Sequence, residues 1–330
     1  MDTQPLDSSV GSGRLAGPPA VGPAALADEA MAAAVPGSVP GLSPAGAGPR
    51  ARRRLGWRGL GGLGIAFWVA VGWLAVVAFC ALFADYLPLQ DPIPPDVSSR
   101  LEGPSADHWL GADGLGRDQL SRLAHAASVS LTVSLSAVAI GGIVGGALGT
   151  AVGYVRGRAE TVVMAAIDVL LAFPALVLLL VVLAYVGRSL TVISVLIGFL
   201  SIPVYTRVAR ANTLAVAQRE FVQAAVVLGA TRRRILWREI IPNVVLSLAA
   251  FGLVAMGVVI VLEGSLAVLG LSVEPPDPTW GGMIAESRRH MSDAPHTALV
   301  PAGAMFLTVL SLNFVGDSLR RRVDTRDAGL

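Results

Sequence analysis

Glu220-Phe-Val-Gln-Ala-Ala-Val-Val-Leu-Gly229-Ala-Thr-Arg-Arg-Arg-Ile-Leu-Trp-Arg-Glu-Ile-Ile-Pro242-Asn243 is a polar, arginine-rich stretch wedged between two hydrophobic runs. It reads as two short helices joined at Gly229, because glycine takes at little cost the left-handed conformation that ends a helix in a sharp turn. Pro242 reads as the opening of the next span. The small side chains of Ala224 and Ala225 allow a partner surface to approach closely. A membrane chain that keeps so structured a loop outside the bilayer is expected to present it to another protein. The alternative is an arginine loop that obeys the positive-inside rule and binds anionic lipid without a partner.

Composition supports membrane-spanning flanks. Of the 330 residues, 54% are hydrophobic and only 15% charged, and the mean hydropathy is +0.66. These values describe a polytopic membrane protein rather than a soluble domain. All 25 basic residues are arginine. A phosphate-binding loop ends in Gly-Lys-Ser/Thr, and this chain has no lysine to complete one. If ATP drives the protein, another chain hydrolyses it. The net charge of +2 gives no nucleic-acid signature, since the arginines flank spans rather than one soluble face. Cys80 stands alone, which excludes an intrachain disulfide, and it reads as a small hydrophobe in a span.

Residues 1–56 are expected to form a disordered cytosolic tail, rich in Ala, Gly, Pro and Ser up to residue 50 and without periodicity. The expected fold class is all-α, with six transmembrane helices near Leu60–Ala84, Val129–Gly153, Thr161–Val186, Leu190–Thr206, Val244–Leu271 and Leu299–Val315. Residues 57–128 would hold the first helix and an outer loop. Residues 129–320 would hold a five-helix core with the loop 218–242, and 321–330 a cytosolic tail. Eighteen arginines fall on the side of the termini and the 218–242 loop, against six on the other, with Arg14 uncounted. The positive-inside rule then puts both termini and that loop in the cytosol of a bacterial plasma (inner) membrane.

Within the spans, Gly141, Gly145, Gly149 and Gly153 recur at four-residue spacing. This small-residue face permits close helix contact in lipid, either inside the chain or between subunits. Asp168 and Glu263 lie inside spans three and five. Intramembrane acids face a bundle interior or an aqueous cavity, so both are candidates for the surroundings of a translocation pathway, as packing acids or as substrate contacts. In the outer regions, Asp118 is expected to cap the helix carrying Ser121-Arg122-Leu123. The segment Glu274-Pro-Pro-Asp-Pro-Thr-Trp-Gly-Gly282 is expected to be rigid and irregular. The four histidines show no metal-binding spacing, and no metal site is expected.

The motifs His108-Trp-Leu-Gly-Ala-Asp-Gly-Leu-Gly-Arg-Asp118, Asp168-Val-Leu-Leu-Ala-Phe-Pro174, Glu220 to Asn243, Gly270 to Gly282, and Asn313-Phe-Val-Gly-Asp-Ser-Leu-Arg320 together resemble the ABC importer permeases of the dipeptide/oligopeptide (peptide/nickel) family. The likeness is to their C-type subunit, and it spans about Trp57 to Asp324. It implies a type I ABC importer permease fold in which 218–242 is the "EAA" coupling loop, with Glu220, Gln223, Ala224, Ala225, Gly229 and Pro242 as ATPase-coupling residues. It further implies a B-type permease partner, two ATPase subunits that use Mg-ATP, and an extracytoplasmic substrate-binding protein. The chain itself would bind no cofactor and catalyse nothing. Peptides are the implied cargo, with nickel complexes, haem or glutathione-like molecules as alternatives.

Two other functions compete with this reading. An intramembrane aspartyl protease needs two facing aspartates deep in the bilayer, but Asp317 lies at the edge beside Arg320–Arg322 and leaves Asp168 without a mate. A stand-alone channel or secondary transporter would typically show an inverted repeat, and none is evident.

Overall fold

The computed structural model describes residues 64–327, with side chains through residue 322. The expected tail 1–56, Arg50–Arg58 and the start of the first span lie outside the described residues, as do the side chains of Asp324 and Arg326. The described chain is helical, and its only strand-like feature is an isolated bridge between Ala112 and Asp118.

Helix α1 spans Ile65–Phe83. Helix α2, Gln119–Ile140, runs through a π turn at Gly141–Gly145 into α3, Gly146–Val155, as one 37-residue apolar helix. It begins ten residues before the expected Val129. Asp118 is the reason, since its Oδ2 accepts from the Ser121 amide at 2.7 Å and fixes the helix start there.

The expected third span is two helices, α4 at Arg158–Ala172 and α5 at Ala175–Val186, bent by 76°. Pro174 causes the break. It clashes with a helical predecessor, and Phe173 accordingly sits at φ −82° and ψ 130°. Helix α6, Leu190–Ala217, carries the fourth span well past Thr206. Among the described residues, five helices are long and apolar enough to cross a membrane, or six when the bent pair counts as one span.

The four glycines all turn toward α6. A methyl group on Gly141 would meet Ser201 and Tyr205 at 2.7 Å, and one on Gly145 would meet the Ile202 carbonyl at 2.5 Å. On Gly149 it would overlap the Thr206 carbonyl, and on Gly153 it would meet Thr213 at 3.1 Å. Both readings of the stripe were open on sequence, and the described structure uses it inside the chain. In hydrocarbon, close backbone approach of this kind supplies the dispersion that holds helices together.

Beyond α6 come α7 at Glu220–Val227 and α8 at Arg232–Ile235. A second π turn at Leu236–Ile240 leads into α9, Ile241–Val268. Arg232–Val268 is therefore one continuous helix, in which Pro242 is the second residue of α9, directly after the π turn. A proline in a helix removes one amide and crowds the carbonyl four residues back; widening the preceding turn relieves this crowding.

The segment expected to be irregular has no helix from Glu274 to Thr279, and at its end a capped helix, α10, Trp280–Ser287, begins because Thr279 Oγ1 accepts from the Gly282 amide at 2.8 Å. Helix α11, His296–Asp327, forms the last span and continues through most of the expected 321–330 tail.

Candidate functional site

The loop between α6 and α9 is built on small, local rules. Glu220 lies in the first turn of α7, where a carboxylate complements the helix dipole. At the other end Gly229 has φ +78°. Its amide donates to the Val226 carbonyl and the Ala230 amide to the Ala225 carbonyl, both at 3.0 Å. This is the Schellman pattern, which needs a left-handed residue at the glycine position. Nothing lies within 4 Å of where a Gly229 side chain would begin, so conformation rather than space selects glycine.

The other coupling candidates divide. Gln223 donates from its amide nitrogen to the Ala217 carbonyl at 3.0 Å, tying α7 to the end of α6. Ala225 is half-buried and packs against the apolar cluster that includes Val216, Val222 and Ile235. Ala224 is exposed. Adjacent helical residues point about 100° apart, so the Ala-Ala pair cannot offer one common face. Sequence reasoning missed the apolar end of α7: Val226, Val227 and Leu228 are 52%, 86% and 86% exposed. Three successive apolar residues in a short polar-side helix were the available signal.

The intramembrane acids are also distinct. Glu263 is 1% exposed, and its Oε1 accepts from Ser272 Oγ at 2.7 Å. Its Oε2 faces the Gly281 backbone. It therefore anchors the outer segment to α9 from within the chain. Asp168 lies on the surface of the described chain, ion-paired to Arg207 of α6, with side chains 60% and 50% exposed. Nearby, Arg210 Nε donates to Glu160 Oε1 at 2.6 Å. Two ion pairs thus join α4 to α6.

Between the start of α2, with the segment before it, and helix α10, Arg117 Nε donates to Asp113 Oδ2 at 2.7 Å, while the Arg117 and Arg122 Nη2 groups donate to Glu286 Oε2 at 2.8 and 3.1 Å. Trp280 is buried, and its indole N–H donates to the Leu123 carbonyl at 3.2 Å. The first outer loop is thereby clamped to α10. Glu286 had no sequence signal, because its partners lie more than 160 residues away.

Residues 145–327 match the family described as the binding-protein-dependent transport system inner membrane component. The glutathione transport system permease protein GsiD of Salmonella typhimurium is 41% identical over 262 residues, 79% of this chain and 86% of that protein. Its namesake in Pectobacterium atrosepticum is 39% identical over 225 residues, 68% of this chain and 75% of that protein. Apolar spans, the loop between α6 and α9 and these likenesses agree: the chain is a multi-pass membrane protein that belongs to the inner-membrane permeases of binding-protein-dependent ABC importers.

Proposed function

We propose that this chain is the C-type permease of a peptide importer, paired with a B-type permease, and that α7 is the coupling helix for one of two separate ATPase subunits. The observation that carries the reading is the exposed apolar end of α7, held beyond the spans by Gly229 and Gln223. Apolar side chains on the polar side of a membrane favour a protein partner. ATP and Mg would be used by the ATPases, and this chain would carry no catalytic residue or cofactor. An extracytoplasmic binding protein would deliver cargo. The arginine asymmetry supports cytosolic termini in a bacterial inner membrane. Di- and oligopeptides are the proposed cargo, and the relatives' names favour a glutathione-like peptide among them over nickel complexes or haem. Binding measurements on the cognate binding protein test the cargo.

Co-purification tests the assembly. The tagged chain is expected to bring down stoichiometric ATPase subunits and to show no nucleotide turnover once stripped of them. Turnover by the isolated chain, or uptake by it alone, would sink the proposal.

Of the two intramembrane acids, we assign the pathway role to Asp168 and the anchoring role to Glu263. A charged pair turned toward hydrocarbon costs several kcal/mol, which favours a water-lined or protein-covered setting for the Asp168–Arg207 face. Asp168→Asn and Arg207→Gln are each expected to lower uptake several-fold with subunit abundance unchanged. Because the pair also joins α4 to α6, the exchange Asp168→Arg with Arg207→Asp should restore part of it. Normal uptake by both single variants would remove the role.

A further inference from the structure

An apolar groove of about 730 Å³ runs between α2–α3 and α9. One wall extends from Leu135 to Ala151, and the other from Leu253 and Met256 back to Trp237. At 1.5 Å per residue the first wall is roughly 24 Å long, most of the ~30 Å hydrocarbon thickness. Gly142 and Gly146 add no side chains to it, and Tyr205 of α6 also lines it.

Trp237 also lines a second, open cavity with Thr231, Arg233, Arg234 and Arg238. No carboxylate lines that cavity, and among the described residues these three exposed arginines form no salt bridge. The groove is thus apolar along its length and cationic at the end beside the coupling loop, with an indole at the junction. Tryptophan favours the level of lipid headgroups, and arginine clusters just outside a span attract anionic ones.

We infer that this groove holds one anionic phospholipid, its acyl chain along α2–α3 and its phosphate on Arg233, Arg234 and Arg238. The inference is independent of the cargo, and it uses neither α7 nor the Asp168 face.

The test uses the full-length chain in mild detergent, titrated with phosphatidylglycerol or phosphatidylcholine, with bound lipid read by native mass spectrometry. Phosphatidylglycerol is expected to bind preferentially, one per chain. Each of Arg233→Gln, Arg234→Gln and Arg238→Gln should weaken it about five-fold, and the triple variant about a hundred-fold. Ala147 and Ala249 are exposed along the groove, so Ala147→Phe or Ala249→Phe fills it without displacing a buried neighbour. Either should lower lipid retention on the order of ten-fold although no charge changes. Equal binding of the two lipids in the parent chain would overturn the inference. So would lipid loss in the arginine variant with full retention in both phenylalanine variants, which would mark diffuse attraction to the loop. Retained lipid with loss of a co-purifying permease subunit in the phenylalanine variants would assign the groove to a neighbour's helix, and would overturn it equally.

Discussion

Replacing Gly229 by valine is expected to leave the chain in the membrane while uncoupling it. The position has φ +78°, and a left-handed backbone costs an L-residue about 1–2 kcal/mol, more for a β-branched one. Relieving that strain gives up the two amide bonds that close α7, so the helix end bearing Val227 and Leu228 loses its fixed direction. Binding-protein-stimulated ATPase activity and uptake should fall together, on the order of ten-fold. Gly229→Asn, which tolerates the left-handed region, should retain much of both. Leu228→Asp should reproduce the defect without touching the turn. Ala225→Asp is a poorer probe of the partner surface, because Ala225 packs against its own chain. If Gly229→Val and Leu228→Asp both couple normally, while replacing Arg232, Arg233 and Arg234 by Gln abolishes transport, the loop is a lipid-binding element and the coupling assignment fails.

Gly149→Val is expected to have the largest effect on folding. The added carbon would overlap the Thr206 carbonyl and crowd Ala209 at 2.8 Å. Overpacking a core typically costs 1–3 kcal/mol, and a backbone atom cannot swing aside as a side chain does, so the upper end of that range applies. Changes of this size shift cellular abundance several-fold. Gly72→Val serves as the comparison: it is a span glycine with nothing within 4 Å of its would-be side chain, and abundance there should hardly change. Equal abundance of the two variants would mean that α3 and α6 do not meet through the glycine stripe.

Much of this arrangement is legible in the residues. Hydrophobic length gives the spans, Gly229 the turn, Asp118 the helix start and the glycine spacing a close helix contact. What sequence hides is mostly pairing at a distance. Arg207 reads as one more positive-inside arginine until α4 and α6 bring it to Asp168. Glu286 reads as a surface acid until Arg117 and Arg122 reach it. The Phe173-Pro174 break was written in the chain, but an uninterrupted apolar run masks a bend of 76°. Periodicity alone also treats Ala224 and Ala225 as a unit, although a helix sends them in different directions.

The continuous helix from Arg232 to Val268 has the proportions of a lever. Its 37 residues span about 55 Å, nearly twice the hydrocarbon thickness, so the helix is longer than a bilayer crossing needs. One end leaves the loop that joins α6 to α9, and near the other Glu263 accepts a hydrogen bond from Ser272. Tilting a rod of that length by about 5° displaces its tip by about 5 Å, close to one helical turn. An impulse given at the loop therefore reaches the outer rim as a stroke of side-chain size without being relayed from contact to contact. The π turn at Leu236–Ile240 sits beside the driven end, so any give in the rod falls close to where force enters and leaves the long arm stiff.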